Sequence, residues 1–199
     1  MDTSIREPRQ DRAIKKKEAI INAAYKVFSK VGYYNTNTAD IAKAAGVSTG
    51  IVYSYFKDKR DILFYVIKIY IKDVKAPIID YINNLNGPID AKDLAASLID
   101  LTTKIHHTNA NLHNILHSLA DTQSDINDEF MALESEITII GANKLQELGF
   151  KNNLTDKVHV IMDIVQSFAH EYLYDKHDYI NYNNMKELVC SCIINLLEN

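Results

Sequence analysis

Residues 33–63 read YYNTNTADIAKAAGVSTGIVYSYFKDKRDIL. This stretch predicts two short helices around a tight turn at Gly46 and Val47, because Gly adopts the backbone conformation that such a turn requires. Thr49 and Tyr53 are four residues apart, so they would share the outer face of the second helix. A short helix, a tight turn and a second helix with exposed polar groups are typical of a helix-turn-helix that reads the DNA major groove.

Helix-capping residues stand at each expected helix start in this stretch. Asn37 is a predicted N-cap, with Asp40 three residues later completing an arrangement like a capping box. Ser48 is the predicted cap of the next helix, and Asp58 that of a long fourth helix. The three caps therefore set the helix boundaries of the region.

Composition favours an all-α fold. The chain has 199 residues, of which 47% are hydrophobic and 24% charged, with only 6 Gly and 3 Pro. Alternating strand-like runs are missing, which also favours helices. Cys190 and Cys192 are the only cysteines; two positions apart on a helix they cannot bond without strain, so we expect both to be reduced.

The charge is distributed unevenly along the chain. Residues 1–62 hold 12 Lys and Arg against 7 Asp and Glu, whereas residues 63–199 hold 10 against 19. A basic first part on an acidic remainder indicates a polyanionic partner for the first part only. The N-terminus lacks the apolar segment of a secretory signal, and the longest apolar run, 62–67, is too short to span a membrane. We therefore expect a cytoplasmic protein without membrane contact.

Apolar side chains at helical spacing predict the remaining helices. The predicted ranges are 12–31, a fourth helix after Asp58, 90–108, 111–120, 125–148 with Gly149 as its cap, 155–174 and 185–197. Pro77 should kink or break the fourth helix, and residues 86–88, Asn-Gly-Pro, should end it. With the two helices of residues 33–63, the total is nine. We expect residues 1–57 to form a DNA-binding domain with a flexible arm at 1–11, and residues 58–199 to form a second domain.

The same region carries a dense family signature. Its residues are Ile20, Ala23, Ala24, Phe28, Gly32, Tyr33, Thr36, Asp40, Ile41, Ala42, Ala45, Gly46, Val47, Ser48, Gly50, Tyr53, Tyr55, Phe56, Lys59 and Leu63. By these residues the chain resembles the TetR family of bacterial transcriptional regulators. The resemblance implies a nine-helix architecture, with a three-helix DNA-binding domain and a larger C-terminal domain for ligand binding and dimerisation.

The resemblance also implies which residues meet DNA. The family positions that usually meet DNA match Thr36, Asn37, Thr49, Tyr53, Tyr55 and Lys59. To these we add Thr38, Ser48 and Gly50, and we add Lys15 and Lys17 as candidates for flanking phosphate or minor-groove contacts. Physical reasons agree: a helix N-terminus favours phosphate, short side chains approach base edges, and tyrosine hydroxyls can bond to phosphates. Tyr55 could instead pack beside Phe56, and the lysines could form a solvated face. Arg60 stands where the family prefers an acid, and it would add positive charge near the phosphates.

Histidines mark the acidic part of the chain. His106, His113, His117 and Asp121 would share one face if they lay on a single helix, although the Asn109–Asn111 stretch could interrupt it. The spacing of His113 and His117 could chelate a metal; lining an organic-ligand pocket and an ordinary solvated role are the alternatives. Our expectation is no metal and no cofactor. The candidate effector-pocket residues are Tyr65, His106, His113, His117, Phe130 and Phe168.

The last two predicted helices carry apolar stripes that could pair with a second copy in a four-helix bundle. The candidate dimer-interface residues are Val158, Met162, Val165, Phe168, Leu188, Cys192 and Leu196. The sequence and its resemblance together predict a repressor that binds a palindromic DNA operator as a homodimer and is released by a small-molecule effector. An activator and a helical interaction protein remain alternatives. An enzyme is disfavoured, because no Glu stands three residues before any histidine, and phosphate-loop and nucleophile motifs are absent.

Overall fold

The computed structural model of the chain describes residues 9–108 and 110–199, which form nine α-helices and no strand. The helices are α1 (Arg9–Val31), α2 (Thr38–Ala45), α3 (Thr49–Tyr53), α4 (Lys59–Asn84), α5 (Ala91–Thr108), α6 (Ala110–Ala120), α7 (Ser124–Glu147), α8 (Leu154–Tyr174) and α9 (Tyr182–Glu198). The prediction of an all-α chain with nine helices is confirmed. Of the arm predicted at residues 1–11, residues 1–8 lie outside the described residues, and residues 9–11 belong to the first turn of α1.

Local chemistry explains where several helices begin and end. The Asp58 carboxylate accepts a 2.8 Å hydrogen bond from the Asp61 amide and so caps α4. Gly149 has a φ of 92° immediately after α7, and this left-handed conformation is what ends the helix. The Asn181 side chain accepts bonds from the Asn183 and Asn184 amides. This cap starts α9 three residues earlier than its apolar stripe predicts.

Helix α4 is not broken at Pro77, so that alternative is wrong. Proline removes one backbone donor and crowds the preceding turn, which usually interrupts a helix. Here the turns on both sides are held by packing: Val74 and Ile78 lie beside Ile82, which packs with Leu133 of α7 in one apolar cluster. Tertiary contacts therefore keep α4 continuous for 26 residues.

Two large apolar clusters organise the molecule. The first joins α1–α4 to α6 and to the beginning of α7, and its fully buried members include Phe28, Phe56 and Leu116. The second lies among α5, α7, α8 and α9, with Phe168 and Ile193 in its centre. Helix α4 belongs to the first cluster at its N-terminal half, and its C-terminal half contributes to the smaller cluster against α7. One long helix thus runs from the first core towards the second.

Candidate functional site

The α2–turn–α3 unit is held by short-range hydrogen bonds. The Asn37 side chain accepts from the Asp40 amide at 3.0 Å, and the Asp40 carboxylate accepts from the Asn37 amide at 3.0 Å. The predicted capping box is therefore present. Gly46 follows with a φ of 68°, and the Val47 amide donates to the carbonyl of Ala42 at 3.0 Å. These contacts fix the angle at which α3 leaves the turn.

Helix α3 presents a polar outer face. Ser48 caps it by accepting a 3.4 Å hydrogen bond from the Ile51 amide, while Val52 is buried beneath it. Thr49 and Gly50 are exposed, and Tyr53 is 58% exposed. A short helix with its N-terminal residues and one tyrosine open to solvent is suited to contacting base edges and phosphates.

The predicted DNA contacts fall into three groups. Those with exposed side chains or backbone are Lys15, Asn37, Ser48, Thr49, Gly50 and Tyr53. Thr38 and Tyr55 are half-buried, and Tyr55 packs against the first apolar cluster with its ring centroid 6.5 Å from that of Phe56. The third group, Thr36, Lys17 and Lys59, is engaged inside the chain.

Thr36 and Lys59 hold the connection between α1 and α2, a role that the sequence did not predict; their direct contact with DNA stays a prediction. Thr36 is 3% exposed, and its hydroxyl donates to the carbonyl of Gly32 at 2.7 Å. The Lys59 ammonium donates to the carbonyls of Tyr33 and Thr36, each at 2.7 Å, and lies 4.2 Å from the centre of the Tyr33 ring. Burial lowers the pKa of Lys59. Two of its three donors are therefore used to position the loop.

Lys17 is likewise tied to the protein. Its ammonium donates to the Tyr65 hydroxyl at 2.8 Å and lies 4.0 Å from the centre of that ring. This contact pins α1 to α4. It also corrects the expectation for Tyr65, which packs between Lys17 and Phe56 and does not line the cavity.

Arg60 points away from the expected phosphate role. Its guanidinium donates to both carboxylate oxygens of Asp125, at 2.8 and 2.6 Å, and also to Gln123. The pKa of Asp125 is lowered, first by this hydrogen bond. The contact joins the start of α4 to the start of α7. An arginine at this position therefore links the helix-turn-helix region to the rest of the molecule.

A cavity of about 140 Å³ lies among helices α4 to α8. Its wall is mostly apolar. The polar groups on it come from Tyr70, Thr102, the histidines, Glu134, Lys144 and Gln166. Of the predicted effector-pocket residues, those that line it are His106, His113, His117 and Phe130. Phe168 does not: it is buried in the second cluster, stacked on Tyr172 at 5.8 Å.

The histidines come together although they lie on two helices. His106 lies on α5, which runs to Thr108, and His113 and His117 lie on α6, which runs from Ala110. The predicted interruption falls on residue 109, which lies outside the described residues. Packing nevertheless places the His113 ring 4.4 Å from His106 and 4.2 Å from His117, measured between ring centres. The three rings therefore form one group without lying on one face of a single helix.

Hydrogen bonds to other helices orient two of the rings. The Tyr70 hydroxyl lies 2.6 Å from Nδ1 of His113, and the pair is buried. Nδ1 of His106 lies 2.9 Å from the carbonyl of Thr102. The Tyr174 hydroxyl donates to the carbonyl of His106 at 2.8 Å. Sequence reasoning missed Tyr70, because a tyrosine on an apolar helix face is ordinarily core.

The three rings are neutral near pH 7. Burial, with help from His117, His106 and His170, lowers the pKa of His113 to about 3. Burial also lowers the pKa of His106 and that of His117, while it raises the pKa of Tyr70.

Within residues 9–108 and 110–199, no group of three or more histidine, cysteine or acidic side chains is arranged to hold a metal ion. In the same residues no helix is long and apolar enough to cross a membrane.

The predicted dimer interface needs correction in part. Val158, Val165 and Phe168 are buried in the chain's own second cluster, so a second copy cannot reach their side chains. Leu188 is 67% exposed and Cys192 is exposed. Met162 and Leu196 are half-buried against the second cluster.

These features define a class: an all-α protein with a helix-turn-helix at one end and an internal cavity at the other. Residues 20–66 match the sequence model of a family described as bacterial regulatory proteins, tetR family. The resemblance to the TetR family is therefore confirmed over residues 20–66.

Known proteins agree with this assignment. The HTH-type transcriptional regulator HbdR of Aromatoleum sp. is 43% identical over 75 residues, which is 38% of this chain and 33% of that protein. The chain thus matches about a third of the length of that curated relative.

Solved structures share the whole fold. A putative TetR-family transcriptional regulator from Mesorhizobium loti superposes with a TM-score of 0.73 at 18% identity, over 94% of this chain and 97% of that one. A putative transcriptional regulator from Saccharomonospora viridis, solved in complex with choline, gives 0.70 at 15% identity over 90% and 96%.

Proposed function

We propose that the protein is a DNA-binding transcriptional regulator, acting as a homodimeric repressor that a small-molecule effector releases from a palindromic operator. The observation that carries the proposal is the exposed face of α3. Thr49, Gly50 and Tyr53 stand open on a helix whose start and angle are fixed by the Asn37–Asp40 box. A regulator of this kind works beside the chromosome, so we also propose a cytoplasmic location.

The exposed face of α3 would contact the DNA directly. Thr49 and Gly50 would approach base edges at the N-terminus of α3, and Tyr53 would donate to a phosphate. Asn37 and Thr38 stand at the start of α2, where free amides and the helix dipole favour a phosphate. Lys59 and Thr36 would act indirectly, by holding the α1–α2 connection in place.

Dimerisation is supported by apolar side chains on the outer faces of α8 and α9. Val160 and Leu188 are exposed, and Ile164 is half-buried on the same side of α8 as Val160, one turn along. Covering them with the same face of a second copy would form a four-helix bundle with two-fold symmetry. In that arrangement two recognition helices would lie roughly 34 Å apart, one turn of B-DNA.

Effector release would use the cavity and α4. The same helix carries Lys59 beside the helix-turn-helix and Tyr70 in the cavity wall. A ligand that displaces α4 would therefore change the distance between the two α3 helices of the proposed dimer. The choline-bound neighbour supports the idea that this fold can hold a small molecule. Every relative named above is called a transcriptional regulator, which supports a regulatory role and not an enzymatic one.

Fluorescence anisotropy with labelled DNA from upstream of the protein's own gene tests the proposal. We expect saturable binding whose affinity falls linearly on a logarithmic salt scale, because bound counterions return to the phosphates. Random duplex of the same length is the control, and it should bind more weakly at every salt concentration. Equal affinity for both duplexes, or binding that ignores salt, would contradict the proposal.

A further inference from the structure

The tautomer of His106 is set by its own helix. A backbone carbonyl can only accept, so the 2.9 Å contact with Thr102 requires a proton on Nδ1 of His106. A neutral imidazole carries one proton, and the lowered pKa keeps this ring neutral. Nε2 of His106 is therefore a hydrogen-bond acceptor.

The tautomer of His113 is the opposite one. Burial keeps Tyr70 protonated, and its hydroxyl has His113 as its hydrogen-bond partner at 2.6 Å. If the hydroxyl accepted from Nδ1, its own buried proton would have no acceptor among the described residues, so we assign the hydroxyl as the donor to Nδ1 and the ring proton to Nε2. Nε2 of His113 is a hydrogen-bond donor.

Both nitrogens are open to the cavity. Among the described residues neither Nε2 has a hydrogen-bond partner, and no fully enclosed polar side-chain atom lacks one. Both rings line the cavity, and their centres are 4.4 Å apart. The wall thus presents one acceptor and one donor side by side, with the neutral His117 ring against His113.

The rest of the cavity is long and mainly apolar, with Glu134, Lys144 and Gln166 as further polar side chains on its wall. Along α4 its wall runs from Tyr70 to Leu85, about 22 Å at the rise of an α-helix. Val74, Ile78 and Ile82 line the interval. With a volume of about 140 Å³, such a space takes a narrow chain more readily than a broad ring system.

The geometry points to an effector with an apolar chain and one uncharged head group that both donates and accepts hydrogen bonds, such as a hydroxyl or a primary amide. The head donates to Nε2 of His106 and accepts from Nε2 of His113, and the chain lies along α4. A permanent cation beside these rings is disfavoured, since burial already disfavours the charged forms of the rings themselves; the charged side chains of the wall, Glu134 and Lys144, lie on α7. This inference rests on the proposed role of the cavity as an effector site.

Isothermal titration calorimetry of the full chain tests the head group without DNA. The probes are decyl alcohol, decanamide, decyl methyl ether and decyltrimethylammonium. The ether keeps the acceptor but has no donor, so it leaves Nε2 of His106 unpaired. We expect the alcohol and the amide to bind about tenfold more tightly than the ether, and the ammonium compound to bind most weakly.

Variants of His106 test whether this ring causes the preference for the alcohol over the ether. His106→Leu should bring the affinity for the alcohol down to that for the ether, and His106→Gln, which restores an acceptor, should recover part of the preference. His107→Gln is the matched control, because His107 is the exposed neighbour on α5 and does not line the cavity. The ratio of alcohol to ether affinity is read within each variant, so a loss of stability does not imitate the result.

Each contrary outcome has a distinct meaning. Equal affinity for alcohol and ether overturns the head-group inference and leaves the cavity as an effector site. Tightest binding by the ammonium compound overturns it in favour of a cationic head near Glu134, which also borders the cavity. Absence of binding by all four probes overturns both the inference and the proposed effector role of the cavity.

Discussion

In the helix-turn-helix region, Asn37 and Ser48 bond to backbone amides three residues away. Around the cavity, Tyr70 of α4 reaches His113 of α6 across 43 positions of the chain. The first region is therefore specified by neighbours in sequence, and the second by helices that must already be packed. The helix-turn-helix can therefore keep its shape through local bonds, whereas the shape of the cavity depends on how separate helices pack.

The largest expected difference is in the free energy of unfolding that is lost when a phenylalanine ring is removed. Phe28 is fully buried in the first cluster, so Phe28→Ala should lower the free energy of unfolding by about 3–5 kcal/mol. Phe130 belongs to the same cluster but also borders the cavity, so open space replaces some of its neighbours, and Phe130→Ala should cost less, about 2–3 kcal/mol. Urea unfolding of both variants measures this, and equal losses would mean that the regions are equally well packed.

Lys59 tests whether a long-range contact also supports the helix-turn-helix. Lys59→Met removes the hydrogen bonds to the carbonyls of Tyr33 and Thr36, and we expect a loss of about 1.5–3 kcal/mol in unfolding free energy. Lys57→Met, at an exposed position two residues earlier, is the control and should change stability little. Equal stability of the two variants would contradict a supporting role of Lys59 for the loop.

Acid should weaken the cavity region selectively. The pKa of His113 is about 3 in the folded chain and 6.5 ordinarily, so between these values only the unfolded state binds the proton. Stability is then fully present above pH 6.5 and falls as the pH drops, by about 1.4 kcal/mol per unit for this group. Between pH 6.5 and 5 the native chain should lose about 2 kcal/mol more than His113→Gln does. Unfolding curves at both pH values check this, with His107→Gln expected to follow the native chain.

The smallest of these stability effects concerns a local cap. Asn37→Ala removes the side chain that accepts from the Asp40 amide, and we expect a loss of about 1 kcal/mol. Asn37→Ser, which can still cap, should retain most of the stability. A loss by Asn37→Ser as large as that of the alanine variant would show that the capping bond is not what matters.

Much of the helix-turn-helix could be predicted because its signals are local. The caps at Asn37, Ser48 and Asp58 and the turn at Gly46 each depend on residues within four positions, and all are confirmed. The break considered at Pro77 is absent for the opposite reason: the local rule for proline is outweighed by the packing of α4 on α7.

Side-chain partners could not be predicted where they come from distant helices. In the sequence Lys17 looks like a solvated lysine, because its hydrogen bond to Tyr65 forms only when α1 packs on α4. The histidines suggested a site, but their assembly depends on how α5 packs on α6 and on a tyrosine of α4. Phe168 shows the same limit, since an apolar stripe does not reveal whether it faces a cavity, a partner or the chain's own core.

The central claim is that α3 reads DNA, and one matched pair of variants tests it most directly. Tyr53→Ala removes an exposed tyrosine from α3, and Tyr179→Ala removes one that is 81% exposed between α8 and α9. In anisotropy titrations with the upstream DNA, Tyr53→Ala should bind at least about tenfold more weakly than the native chain, while Tyr179→Ala should bind equally well. Unchanged affinity in Tyr53→Ala, with both variants folded, would contradict the account.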